Sequence, residues 1–110
     1  MTYSNKIDKS TILNSLVPQD NAVVIAIAMP STPLKTSQLI DAFCTFFNCR
    51  AQPTDWGADR CQAIIAAKDE SDALSFLMNI DWLCDAIWLE PLGNNQDIKA
   101  LLQYLTTKNV

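Results

Sequence analysis

"RCQAIIAAKDESDALSFLMNI" (60–80) decides the architecture. Leu74, Phe76, Met78 and Ile80 alternate with Ala73, Ser75, Leu77 and Asn79, the period of a strand. "DESD" (69–72) is polar and has the length of a hairpin connection. The competing reading is a helix over 70–80, because Leu74, Leu77 and Met78 also fall on one helical face. With the strand reading, 60–68 and 73–80 are consecutive antiparallel strands. With the helical one, the sheet loses a member.

Flanking segments extend the pattern. "NAVVIAIAMP" (21–30) is β-rich and reads as a strand buried on both faces, hence a central one. In "STPLKTSQLIDAFCTFFNCR" (31–50), Thr32 before Pro33 offers an N-cap with proline at the first helical position. Leu39, Ile40, Phe43 and Phe47 share one face of that helix, which ends near Asn48. "AQPTDWGAD" (51–59) leads into the strand at 60. "DAIWLEPL" (85–92) is a strand stopped by Pro91 and Gly93. "NNQDIKALLQYLTTK" (94–108) is an amphipathic helix, with Ile98, Leu101, Leu102 and Leu105 on one side and Asn94 and Asp97 in a capping arrangement. Residues 1–20 form an N-terminal segment in which Ile12, Leu13, Leu16 and Val17 support a short helix near 10–17, stopped by Pro18. Residues 21–110 make a single domain. The order (α)βαβββα predicts the α+β class: a two-layer sandwich of about four mainly antiparallel strands, with two main helices on one face.

Composition narrows the chemistry. The chain has 110 residues and 49% hydrophobic content, enough for one core. It is acidic, net −4, and its eight basic residues are scattered, which argues against nucleic acid as a partner. Ten of the twelve acids are Asp, a residue suited to turns and helix starts. The longest apolar run, "AVVIAIAM" (22–29), is far short of the roughly 20 residues of a membrane span. An N-terminus carrying Lys6, Asp8 and Lys9 with no apolar run reads as lacking a signal peptide. The expected setting is cytoplasmic.

There is no histidine, so Ser-His-Asp and Cys-His nucleophile schemes are closed. Two glycines cannot build a phosphate-cradling loop. Cys44, Cys49, Cys61 and Cys84 lack the paired spacing of a zinc site. If helical, Cys44 and Cys49 stand about 140° apart at about 100° per residue. No catalytic residue, cofactor or metal is expected, and the balance leans away from an enzyme.

Candidate binding residues follow from alternation. An unbroken strand over 55–68 sets Trp56, Arg60, Gln62 and Lys68 on one face and Asp55, Gly57, Asp59 and Cys61 on the other. With Ser75, Leu77, Asn79, Trp88 and Glu90, the first set forms a mixed aromatic and charged surface opposite the helices. The residues singled out are Trp56, Asp59, Arg60, Trp88 and Glu90. Gly57 is expected to supply a positive φ or a close approach. The competing possibility is that the N-terminal segment folds over this face and hides the tryptophans.

"DWGADR" (55–60) followed by "DAIWLEPL" (85–92) resembles a family of short bacterial proteins of unknown function with a Trp-Gly-Ala-Asp core and a Trp-Leu-Glu strand. The matching positions are Trp56, Gly57, Ala58, Asp59 and Arg60, then Trp88, Leu89 and Glu90. The resemblance implies no activity or partner, only that the two segments belong together.

Three functions stay open. The first is a non-enzymatic interaction module whose sheet face takes a protein partner or a second copy. The second is a small-molecule domain or minor enzyme, with a pocket between helices and sheet holding Cys61 or Cys84 and Asp59. The third is a structural subunit of an assembly.

Overall fold

The computed structural model describes residues 7–69, 74–93 and 97–107. Among the described residues, three helices and seven strands follow in the order α1 (Lys9–Asn14), β1 (Leu16–Gln19), β2 (Ala22–Ile25), α2 (Pro33–Phe47), β3 (Cys49–Ala51), β4 (Asp55–Trp56), β5 (Arg60–Ala67), β6 (Ser75–Asp81), β7 (Ala86–Pro91) and α3 (Ile98–Thr107). All strand pairs are antiparallel, in the order β1-β2-β7-β6-β5-β3, with β4 pairing β5 beyond β3. The α+β class holds, but the four-stranded, two-helix arrangement is wrong. The additional strands β1, β3 and β4 have four, three and two residues, too short to carry a period of their own.

The stretch 60–80 resolves as strands. β5 and β6 pair from Arg60↔Asp81 through Ala66↔Ser75, and Ala67 N donates to Leu74 O at 3.0 Å. The connection at 70–73, with Glu70, Ser71, Asp72 and Ala73, lies outside the described residues. Phe76, Met78 and Ile80 are buried on one side, opposite Ile65, Ala63 and Cys61. The helical alternative would have broken this alternation.

β2 covers only 22–25, and its burial alternates, Val23 and Ile25 in, Ala22 and Val24 half-exposed. It is one strand from the edge, not central. A second correction concerns 15–19. Ser15 closes α1, and Leu16 and Val17 pair with Ile25 and Val24 as strand β1 instead of continuing the helix. Pro18 accounts for both features: it cannot continue a helix and it is tolerated on an edge strand.

α2 begins as its sequence implies. Thr32 Oγ1 accepts from Lys35 N at 3.0 Å, and Pro33 occupies the first turn. It ends at Asn48, which sits in the left-handed region at φ 54°. The predicted cap at Asn94 lies outside the described residues; Asp97 caps α3, its Oδ1 accepting from Ala100 N at 2.9 Å.

All three helices contribute to one core against one sheet face. Ile12 comes from α1, Leu39, Ile40, Phe43 and Phe47 from α2, Leu101, Tyr104 and Leu105 from α3. Lys9 of α1 lies over the Phe47 ring at 5.8 Å, so residues 9–14 stay on the helical side and do not cover the opposite face. No described helix is long and apolar enough to cross a membrane.

One polar contact ties the last helix to the first long one. The buried Tyr104 hydroxyl donates to Phe47 O at 2.6 Å and lies 3.1 Å from Asn48 O. These carbonyls belong to the end of α2, where backbone acceptors lack helical donors. Tyr104→Phe keeps the ring and removes the donor. Thermal denaturation should show a loss of about 1 kcal/mol, the net worth of one hydrogen bond, because Phe47 O keeps the Cys49 thiol at 3.3 Å and Asn48 O keeps Lys68 N at 3.0 Å.

Candidate functional site

The face away from the helices is the open side of the sheet. Pairing fixes its membership, because directly opposed residues in an antiparallel ladder share a face. One row crosses all strand positions: Val17, Val24, Trp88, Asn79, Gln62, Asp55. Beside it run Arg60, Asp81 and Ala86 on one flank and Ile64, Leu77 and Glu90 on the other. Arg50, Ala66 and Ser75 complete the surface.

A polar ladder stiffens its centre. Gln62 Nε2 donates to Asn79 Oδ1 at 2.7 Å, and Asn79 Nδ2 donates to Glu90 Oε1 at 2.8 Å. Asn79 is only 4% exposed, so its amide is committed to these partners on both sides. Trp88 lies next to Asn79 in the row and is half-buried, while Ile64 is 38% exposed. The sequence names Gln62, Asn79 and Glu90 for this face by alternation. It does not reveal the ladder, which depends on strand register.

Of the five singled-out residues, Arg60, Trp88 and Glu90 share this face. They do not form one cluster. Arg60 is two strands across and four positions along from Glu90, roughly 17 Å by strand spacing. Asp59 is exposed in the turn before β5, where its backbone O accepts from Trp82 N at 2.8 Å.

Trp56 is on the other face, contrary to the unbroken-strand expectation. The chain reverses at 57–59, so β4 folds back on β5 and Trp56 pairs with Cys61. That pairing turns Trp56 toward the helical side, with Ile80 and Ile87 in the same row. Of the two roles expected of Gly57 the positive φ is not found, since the positive-φ glycine among the described residues is Gly93. Gly57 N donates to Arg60 O at 2.7 Å, and a Cβ there would meet Arg60 Cγ and Arg60 O at 3.4 Å.

Trp56 instead stacks on Trp82, with centroids 6.4 Å apart and planes 13° apart, and stays 45% exposed. The Trp82 indole N–H donates to Pro30 O at 2.9 Å. Trp82 was missed as a site neighbour. The signal available was its even spacing from Ile80, which sets both on the helical face.

The residues proposed for a pocket do not meet in one. Cys61 is buried under the helices, whereas Cys84 and Asp59 are exposed in separate turns. A depression of 490 Å³ lies elsewhere, at the start of α2, lined in part by Met29, Pro30, Thr32, Leu34 and Lys35. Among the described residues no three His, Cys, Asp or Glu side chains converge on a metal position.

The thiols separate by environment. Burial pushes the Cys61 thiol up, and Cys44 is pushed up to about 11, mainly by burial, with Cys49 and Asp41 adding. Cys84 is accessible, but the negative charge of Asp81 raises its pKa, helped by slight desolvation and a hydrogen bond to Asp81. In native-state labelling at about pH 8, Cys84 should react first yet more slowly than a free thiol, since the thiolate is the reactive form. Asp81→Asn should accelerate it. One reactive thiol therefore reports an exposed turn, not a pocket.

Compared with known proteins, the chain matches no family model, no curated protein and no solved structure.

Proposed function

We propose that this protein is a non-enzymatic interaction module that docks a protein through its open sheet face. The observation that carries this reading is the make-up of that face. An antiparallel sheet facing water ordinarily presents polar residues there. Here Val17, Val24, Ile64, Leu77 and Trp88 lie among Arg60, Gln62, Asn79 and Glu90. Aromatic, aliphatic and arginine side chains set among polar neighbours are the composition of contact surfaces.

The sheet edges argue for the face over strand addition. β1 is one edge and contains Pro18. At the other, residues 52–54 on the β3–β4 side stand opposite 63 and 64, a bulge containing Pro53. Proline and bulges both discourage a further strand from pairing.

Trp88→Ala combined with Arg60→Glu tests the reading. Proteins captured from a lysate by this variant are compared with those captured by the parent chain and by Ser37→Glu, a change on the exposed side of α2. Selective loss with the sheet-face variant is expected. Unchanged capture by all three would sink the proposal.

A further inference from the structure

We propose that the occupant of the open sheet face is a second copy of this chain, forming a two-fold dimer. This rests on the reading of that face as a docking surface and names its partner.

Size is the first support. Six strand positions at about 4.8 Å, with β5 and β6 about 24 Å long, give roughly 500 Å² of planar footprint once the shorter outer strands are discounted. Corrugated side chains raise the accessible area above that, toward the roughly 800 Å² per partner of a standard interface.

Charge is the second. The chain carries a net −4, so two copies repel through most of their surface. The open face bears Arg50 and Arg60 against Asp55, Asp81 and Glu90, a net of one negative charge. That net is no smaller than the face's share of the surface, so what favours a second copy is the arrangement of these charges and not their sum. The signs are laid out for self-matching. A two-fold axis along β6 lays β5 of one copy over β7 of the other, as an isologous interface requires. Leu77 and Asp81 then meet their own counterparts, Trp88 covers the other copy's Gln62, and the two Arg60 side chains flank the facing Asp81 pair from either side, one strand away. Aligned sheets pack in this way about 10 Å apart, with their strand directions within about 30°.

Sedimentation equilibrium on the full chain reads the outcome. A dimer mass is expected at roughly 100 µM, with Ile64→Asp weakening association by about 100-fold or more. Ile64 is already partly exposed, and the fold of the variant is checked by its thermal melt. A second experiment uses Leu77→Cys in a Cys84→Ser background. A short bis-maleimide should join two copies through position 77, because facing Cα atoms about 10 Å apart exceed the reach of a disulfide. A monomer at roughly 100 µM, or a dimer untouched by Ile64→Asp, overturns the assignment. A monomer whose capture of other proteins is still abolished by Trp88→Ala with Arg60→Glu overturns only the second-copy assignment and leaves the docking reading standing.

Discussion

Phe43→Ala should cost about 3–5 kcal/mol, against a total stability of about 5–15 kcal/mol for a domain of this kind. Phe43 is fully buried on α2. Its ring lies 4.7 Å from Phe47 and 5.9 Å from Phe76, the latter edge-on. Phe47 is the next residue on the same helical face; Phe76 belongs to β6 in the middle of the sheet. Removing the ring therefore opens a cavity where the two layers meet. The neighbours sit on different elements and cannot close it by one side-chain movement. At about 4 °C per kcal/mol for this chain length, Tm should fall by roughly 12–20 °C. Urea unfolding should give a lower midpoint with an unchanged slope, the mark of lost stability without a changed denatured state. Phe43→Leu, which keeps most of the volume, should cost far less.

Asn79→Asp tests the other face. Asn79 uses both ends of its amide, accepting from Gln62 and donating to Glu90. The aspartate keeps the first contact and reverses the second. A donor 2.8 Å from a carboxylate oxygen becomes a second carboxylate, nine-tenths or more shielded from water. Near pH 7 the loss should be about 3 kcal/mol, from the missing charge-assisted bond and the repulsion that replaces it. Two facing carboxylates bind a proton more readily than the same groups in the unfolded chain. The folded state then holds more protons than the unfolded one, so stability falls as pH rises through the pair's titration. Chemical denaturation of this variant at about pH 5 should recover part of what is lost near pH 7. The parent chain lacks that pair and should show no such recovery.

These two predictions draw on different levels of information. The core around Phe43 is legible in the sequence, since i, i+4 and i+8 spacing of Leu39, Phe43 and Phe47 fixes one helical face. The same is true of β5, β6 and β7, whose alternation runs over six residues or more. The three short strands were not legible. Two to four residues carry no periodicity, and they are strands only because a neighbouring strand presents an unpaired edge. Trp56 illustrates the consequence. Its orientation depends on whether the chain continues or reverses at 57–59. A reversal carries the side chain to the opposite face from the one that continuous alternation assigns. Arg60, Trp88 and Glu90 escaped this error because each lies within a long strand.

The Asn79 ladder shows a further limit. Alternation assigns Gln62, Asn79 and Glu90 to one side, but their hydrogen bonds require Gln62 to stand opposite Asn79 and Glu90 to lie diagonally across on β7. Register is a tertiary property set by turn lengths, and the β5–β6 turn is among the least distinctive parts of the sequence.

Trp82 has a kinetic consequence for the end of the molecule that it occupies. Its amide is held by Asp59, its indole N–H by Pro30, and its ring by Trp56. Three segments distant in the chain are thus fastened to one residue. Excursions of the 57–59 turn, the 82–85 turn and the approach to α2 are coupled, and none opens fully while the others stay shut. In native-state hydrogen exchange the amides of Gly57 and Trp82 should share one opening free energy and slow or quicken together. Leu83, 79% exposed beside this fastening, would be held out to solvent by a cooperative unit and not by a freely moving loop.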